Sequence, residues 1–129
     1  MITQSDVVLH FLQQLDIEMI ESVLEPNRTY QNFDKYTFVQ KLGVALDEFM
    51  QSGDTFLLRY PGFCNAKTCK YKYKGFTFIG NNSGNFFNLI VDIKDGVVQD
   101  IFECKKFKCL SQIVSKNICI EIDKTEFPF

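Results

Sequence analysis

The hydrophobic positions of this chain change rhythm near Gly53. Ahead of it they recur at helical spacing. Val8, Phe11, Leu12 and Leu15 fall at i, i+3, i+4 and i+7 behind Ser5-Asp6, which reads as an N-cap, and they predict a first helix. Asp16 can cap a short second helix whose Met19, Ile20, Val23 and Leu24 share a face, and Pro26 ends it because proline cannot continue the hydrogen-bond ladder. After a polar loop from Pro26 to Asn32, Asp34 caps a third and longest helix. Phe38, Leu42, Leu46 and Phe49 form its buried stripe, and Gly53 is placed to end it in a left-handed conformation. Gly43 within this helix costs about 1 kcal/mol relative to alanine and suggests close packing.

From Thr55 the period becomes two, and β-branched and aromatic residues dominate. Thr55 to Tyr60 reads as a first strand and Tyr71 to Ile79 as a second, with a phase slip at Gly75 that a β-bulge would produce. Gly80-Asn81-Asn82-Ser83-Gly84 is a turn. Phe87, Leu89, Val91 and Ile93 alternate on a third strand, Asp95-Gly96 is a strong hairpin signal, and Val97 to Cys104 returns as a fourth. Ile118 to Ile122 completes the set. Each strand has one apolar face to cover and the helices carry matching stripes. The expected architecture is therefore α+β in a single domain over 1–129, with a helical layer over 4–53 packed on a curved antiparallel sheet over 55–122.

Composition agrees with a folded domain: 129 residues, 46% hydrophobic and 23% charged. Fourteen phenylalanines and no tryptophan point to a core of flat rings that can leave a cavity where they fail to interlock. The N-terminus lacks a basic segment followed by an apolar run, and no stretch approaches a membrane span, so neither export nor insertion is expected. Five cysteines, an odd number, favour reduced thiols in a cytoplasmic setting. Charge is uneven: residues 1–54 hold nine acids and three bases, residues 55–129 seven acids and eleven bases. An acidic helical layer beside a basic sheet edge accounts for this, as does an anion-binding surface on the second half.

The element order resembles the NTF2-like superfamily of cystatin-like α+β rolls. The resemblance is carried by the short second helix, Pro26, the long third helix and the Phe87 to Phe102 hairpin around Lys94-Asp95-Gly96-Val97. It covers roughly residues 3–122 and departs in lacking a helix between the early and late strands. It implies a concave pocket and a homodimer formed through the sheet, while leaving the activity open. In enzymes of that superfamily a pocket-facing acid, histidine or tyrosine takes a proton. The matching candidates are Asp92 and Asp100 on the hairpin, with Tyr36 and Tyr60 as hydrogen-bond donors. The alternation around the two acids equally suits surface carboxylates balancing lysines.

Two Cys-x4-Cys units, Cys64 with Cys69 and Cys104 with Cys109, have the donor set of a tetrahedral zinc site. In a strand meander they fall at opposite ends, roughly 25–30 Å apart, so one metal would need a long loop to fold over. Small structural thiols are the plainer reading. A reactive thiol at Cys64 or Cys69 near Lys67 is a third, although the spacing is not that of redox folds. His10, the single histidine, excludes a histidine cluster and reads as a surface residue. Lys67, Lys70, Lys72 and Lys74 interleave with Tyr71 and Tyr73, and Lys105, Lys106 and Lys108 surround Phe107. Such mixtures can track nucleic acid, but lysines on an edge strand also block aggregation, and nucleic acid is not the expected partner. The leading expectation is a binding or interaction module with an aromatic pocket for a small apolar ligand, or with a dimer surface as its working part. An acid–base or cysteine enzyme and a zinc-stabilised module are the alternatives.

Overall fold

The computed structural model describes residues 2–64, 74–103, 107–108 and 118. Helix α1 (Gln4–Gln13) begins two residues earlier than the Ser5-Asp6 cap predicts. Its N-cap is Thr3, whose hydroxyl accepts from the Asp6 N–H while the Asp6 carboxylate accepts from the Thr3 N–H. This reciprocal capping box uses an acid three residues after the cap, which is the position Asp6 occupies relative to Thr3. Ser5 is buried instead, with its hydroxyl 2.9 Å from that of Thr3. Helix α2 (Ile17–Val23) is capped by Asp16, and α3 (Lys35–Gln51) by Asp34, whose carboxylate accepts from the Thr37 N–H at 2.8 Å. Gly53 follows α3 at φ +96°, the left-handed exit that glycine permits.

Strands β1 (Leu57–Cys64), β2 (Gly75–Gly80), β3 (Phe86–Lys94), β4 (Val97–Glu103) and the two-residue β5 (Phe107–Lys108) form one antiparallel sheet in the order β4-β3-β2-β1-β5. The α+β arrangement is as expected, with three helices ahead of an open, curved antiparallel sheet. Two strand limits differ. β1 starts at Leu57, because Thr55 and Phe56 are bound to the Asn81 side chain, and it runs on through Pro61. Proline lacks an N–H, so it is tolerated in a strand where that position faces away from a partner. A bulge lies in β4, where Asp92 pairs with Asp100 but Ile93 with Val98, leaving Gln99 as the extra residue; the phase slip expected at Gly75 involves Tyr71 and Tyr73, which lie outside the described residues. Asp95 and Gly96, at φ 55° and 76°, make the tight β3–β4 turn. Residues 71–73, which begin the expected second strand, lie outside the described set, as do 119–122 of the expected last one. Ile118 is buried and donates its N–H to the Phe86 carbonyl at 2.7 Å.

One face of the sheet meets the helices. Phe78, Phe87, Leu89, Val91, Val98 and Ile101 pack there against Val8, Leu12, Phe38, Leu42, Leu46 and Phe49, all of them buried. Phe87 holds Phe49 and Phe78 edge-on, with centroids 5.2 and 5.6 Å away. Edge-to-face contacts let flat rings interlock, as these three do between α3 and the sheet.

The end of α3 is locked to the β2–β3 turn by Asp54, which is 3% exposed. Its carboxylate accepts from the N–H groups of Asn82 and Ser83 at 2.8 and 2.7 Å and from the Ser83 hydroxyl at 2.6 Å. The approach is so close that a Cβ on Gly80 would overlap the carboxylate. The Gly80–Gly84 turn is thus a carboxylate cradle serving the fold.

Candidate functional site

Backbone groups on a strand alternate in direction, so the two edges of the sheet can be inventoried group by group. On β4 the outward N–H groups belong to Val98 and, after the bulge shifts the phase, to Ile101 and Glu103. Each has a side-chain acceptor: Gln4 Oε1 at 2.8 Å, Asp100 Oδ1 at 2.8 Å and Gln31 Oε1 at 2.9 Å. The loop that supplies Gln31 is folded for this purpose. Tyr30 and Phe33 exchange backbone hydrogen bonds across a turn whose central residues, Gln31 and Asn32, sit at φ 52° and 67°. Left-handed backbone at a non-glycine residue such as Gln31 costs about 1 kcal/mol. It lets Gln31 donate its N–H to Asp100 at 2.8 Å while its side chain covers Glu103. Arg28 adds a further tie, bonding Glu25 at 2.6 Å and Gln99 at 2.7 Å beside an open depression lined by Glu25, Pro26, Asn27 and Arg28.

Asp92 and Asp100 are brought together, as cross-strand partners on the face of the sheet turned away from the helices. Burial holds the Asp100 carboxyl above the usual carboxylate range, against the pull of N–H bonds from Gln31 and Ile101, and the charge of Asp92 adds to the rise. Asp92 itself is paired with Lys74 at 2.6 Å. Burial likewise raises the Tyr30 phenol, which accepts the Glu25 N–H.

The other pocket candidates do not join them. Tyr36 is 59% exposed on α3, and Tyr60 stands on β1 at 38% exposure on the outer face. The expected arrangement of all four around a space between helices and sheet therefore gives way to two acids and a tyrosine on the outer face and a tyrosine at the helix surface. The reason is register: each of these strand residues is out of phase with the core-facing phenylalanines.

Cys64 ends β1, where it pairs with Phe107. Cys69, Cys104 and Cys109 lie outside the described residues, so the zinc set falls there, as do Lys67, Lys70, Tyr71, Lys72, Tyr73, Lys105 and Lys106. Among the described residues no group of three or more metal-binding side chains converges. His10 is exposed and meets Phe11 edge-on at 5.0 Å. No described helix is long and apolar enough to cross a membrane.

What sequence reasoning missed is how far β1 extends past Tyr60 and that its outer face is exposed. Gln13 Nε2 donates to the Leu57 carbonyl at 3.1 Å, and among the described residues β5 pairs with Phe63 and Cys64. Between these, Leu58, Arg59, Tyr60 and Pro61 are all exposed. Phe56, Leu58 and Tyr60 alternate onto the outer face at 41%, 39% and 38% exposure. The signal was Pro61, which ended the predicted strand at Tyr60 although proline within a strand marks an edge.

Scans of protein-family models, of curated proteins and of solved structures each return no match to this chain.

Proposed function

We propose that the chain is a protein-interaction module whose working surface is β1. The observation that carries this reading is the row Phe56, Leu58, Tyr60, two aromatic rings and an aliphatic side chain set side by side in water on the outer face. Single exposed apolar residues are ordinary on a soluble surface, but a contiguous row on one strand is the usual mark of a binding face. Aromatic residues are also the commonest anchors of such faces. Asp100, occupied by two backbone N–H groups, supports this reading over acid–base catalysis. An NTF2-like roll that dimerises through its sheet is one form such a module takes.

The test is photo-crosslinking in the cells that make the protein. Benzoylphenylalanine at Tyr60 should give discrete adducts, and the same group at Tyr36, which is more exposed, should not. Equal adduct yields at the two positions, or none at Tyr60, would remove the proposal.

A further inference from the structure

Successive backbone N–H groups turned towards one point make a concavity that binds anions, and the β2–β3 turn has this form. Asn82 and Ser83 aim consecutive N–H groups at one oxygen, Oδ1 of Asp54, at 2.8 and 2.7 Å. The Ser83 hydroxyl donates to the other, Oδ2, at 2.6 Å. That hydroxyl is oriented by the Asn85 N–H, which donates to it at 2.9 Å. Both oxygens of the carboxylate are therefore met by donors placed for them, in the short bonds that a charged acceptor forms.

We propose that this turn is an anion-binding site selective for a small planar carboxylate, and that Asp54 is its tethered occupant, closing it to outside anions in the native chain.

The walls of the site stand without the group that fills it. Within the turn, the Gly84 N–H donates to the Gly80 carbonyl at 3.2 Å and the Gly80 N–H to the Asn85 carbonyl at 2.7 Å. Residues 53–56 are fastened to the turn by other groups. Asn82 Nδ2 donates to the Gly53 carbonyl at 2.7 Å, the Thr55 and Phe56 N–H groups to Asn81 Oδ1 at 2.9 and 3.2 Å, and the Asn81 N–H to the Phe56 carbonyl at 3.1 Å. The Asp54 N–H is held by the Phe49 carbonyl at 3.1 Å. None of these bonds uses the Asp54 carboxylate, so its removal leaves the donors arranged around a vacancy.

The shape of the vacancy sets the ligand. A Cβ on Gly80 would overlap Cγ and both oxygens of the carboxylate, so the turn leaves the depth of a flat group there. The additional oxygens of a tetrahedral phosphate or sulfate would meet the Gly80 backbone. Asp54→Gly vacates the carboxylate together with the methylene behind it. Formate replaces the carboxylate, and the vacated methylene supplies the van der Waals gap that two unbonded groups need. In Asp54→Ala the Cβ stays and that gap is lost.

The experiment is thermal unfolding of the full chain in sodium formate, sodium chloride and sodium phosphate at equal ionic strength, followed by near-ultraviolet circular dichroism. Each value is taken relative to the native chain in the same salt, which cancels the general action of salts on burial. At about 0.2 M formate the melting temperature of Asp54→Gly should rise about 3–6 °C over chloride, saturating with formate. The Asn82 and Ser83 amide resonances should shift with the same midpoint. Asp54→Ala and the double variant Asp54→Gly, Ser83→Ala should gain less, and phosphate should act as chloride does. No rise beyond that of the native chain overturns the proposal, as does a rise that leaves the Asn82 and Ser83 amides unmoved. A phosphate rise equal to that in formate overturns the selectivity for a planar carboxylate. If Asp54→Gly is unfolded in chloride, formate should restore its native signal. Failure to do so, with Asp54→Ala equally unresponsive, also overturns it.

Discussion

Replacing Asp54 tests whether one carboxylate joins the helical layer to the sheet. In Asp54→Ala the N–H groups of Asn82 and Ser83 and the Ser83 hydroxyl lose their acceptor together. A hydrogen bond to a charged group contributes about 1.5–3 kcal/mol, but three bonds to one carboxylate do not add, because the freed turn relaxes and admits water. A total loss of about 3–5 kcal/mol is expected, the range seen when one partner of a buried charged contact is removed. Against a domain stability of about 5–15 kcal/mol this is severe. At about 3–5 °C per kcal/mol it lowers the melting temperature by roughly 10–20 °C. Asp54→Asn keeps an oxygen for the two backbone donors and should lose much less, since the Ser83 hydroxyl can turn to accept from the amide.

Urea unfolding followed by near- and far-ultraviolet circular dichroism measures both variants. The sharper readout is a cycle with Gly80→Ala, whose added Cβ overlaps the Asp54 carboxylate. Gly80→Ala should destabilise the native protein strongly and the Asp54→Ala protein far less, because the group it strikes is gone. Independent, additive effects, or an Asp54→Ala loss under about 1 kcal/mol, would refute the account of the turn as a cradle for this carboxylate.

Two further outcomes are expected. Gly43→Ala should stabilise by about 0.5–1 kcal/mol in the same unfolding assay, since the new methyl group meets Ile17 Cγ1 at an ordinary 3.5 Å and alanine is the better helix former; destabilisation would mean that the helices pack closer there. Asp100 has its folded-state pKa raised, so the native state holds its proton more tightly than the unfolded chain does; its contribution is fully favourable below the unfolded pKa and is lost as pH rises through the folded one. Asp100→Asn, which keeps an acceptor for Gln31 and Ile101 and removes the charge facing Asp92, should flatten that part of the stability profile, whereas Asp100→Ala should lower stability across the whole pH range; matching profiles for wild type and Asp100→Asn would contradict this.

The elements that could be read from the sequence are those whose signals are local. Asp16 and Asp34 cap the helices they precede, Gly53 takes the left-handed exit, and Asp95-Gly96 turns the hairpin, because each acts on backbone within a few residues. Thr3 was hidden by Ser5-Asp6, which offers a second cap of the same chemistry. The Asp54 cradle joins residues 28–29 positions apart, and no periodicity records such a contact. The same limit applies to the candidate site. That Asp92 balances a lysine on a half-exposed sheet followed from alternation, and Lys74 is its partner, whereas Asp100 accepts the Gln31 and Ile101 N–H groups instead. That Gln4 and Gln31 close the edge of β4 did not follow, because glutamine carries no mark of what it will accept from.

The contrast between the edges can itself be put to the test. β4 is closed by acceptors on side chains that come from α1 and the 30–33 turn, while on β1 between Leu57 and Phe63 the guard among the described residues is the missing N–H of Pro61. Gln31→Gly separates edge protection from stability. Glycine relieves the left-handed strain at φ 52°, worth about 1 kcal/mol, while the lost acceptor for Glu103 removes about 0.5–1.5 kcal/mol, so the two nearly cancel. Adding Gln4→Ala frees the Val98 N–H as well. The double variant should therefore melt within a few degrees of its Gln4→Ala parent yet self-associate more strongly in sedimentation velocity, with hydrogen exchange at Val98 and Glu103 slowing as concentration rises. If association stays at the wild-type level once both donors are exposed, the glutamines are not what keeps β4 closed, and the contrast between the edges loses its physical basis.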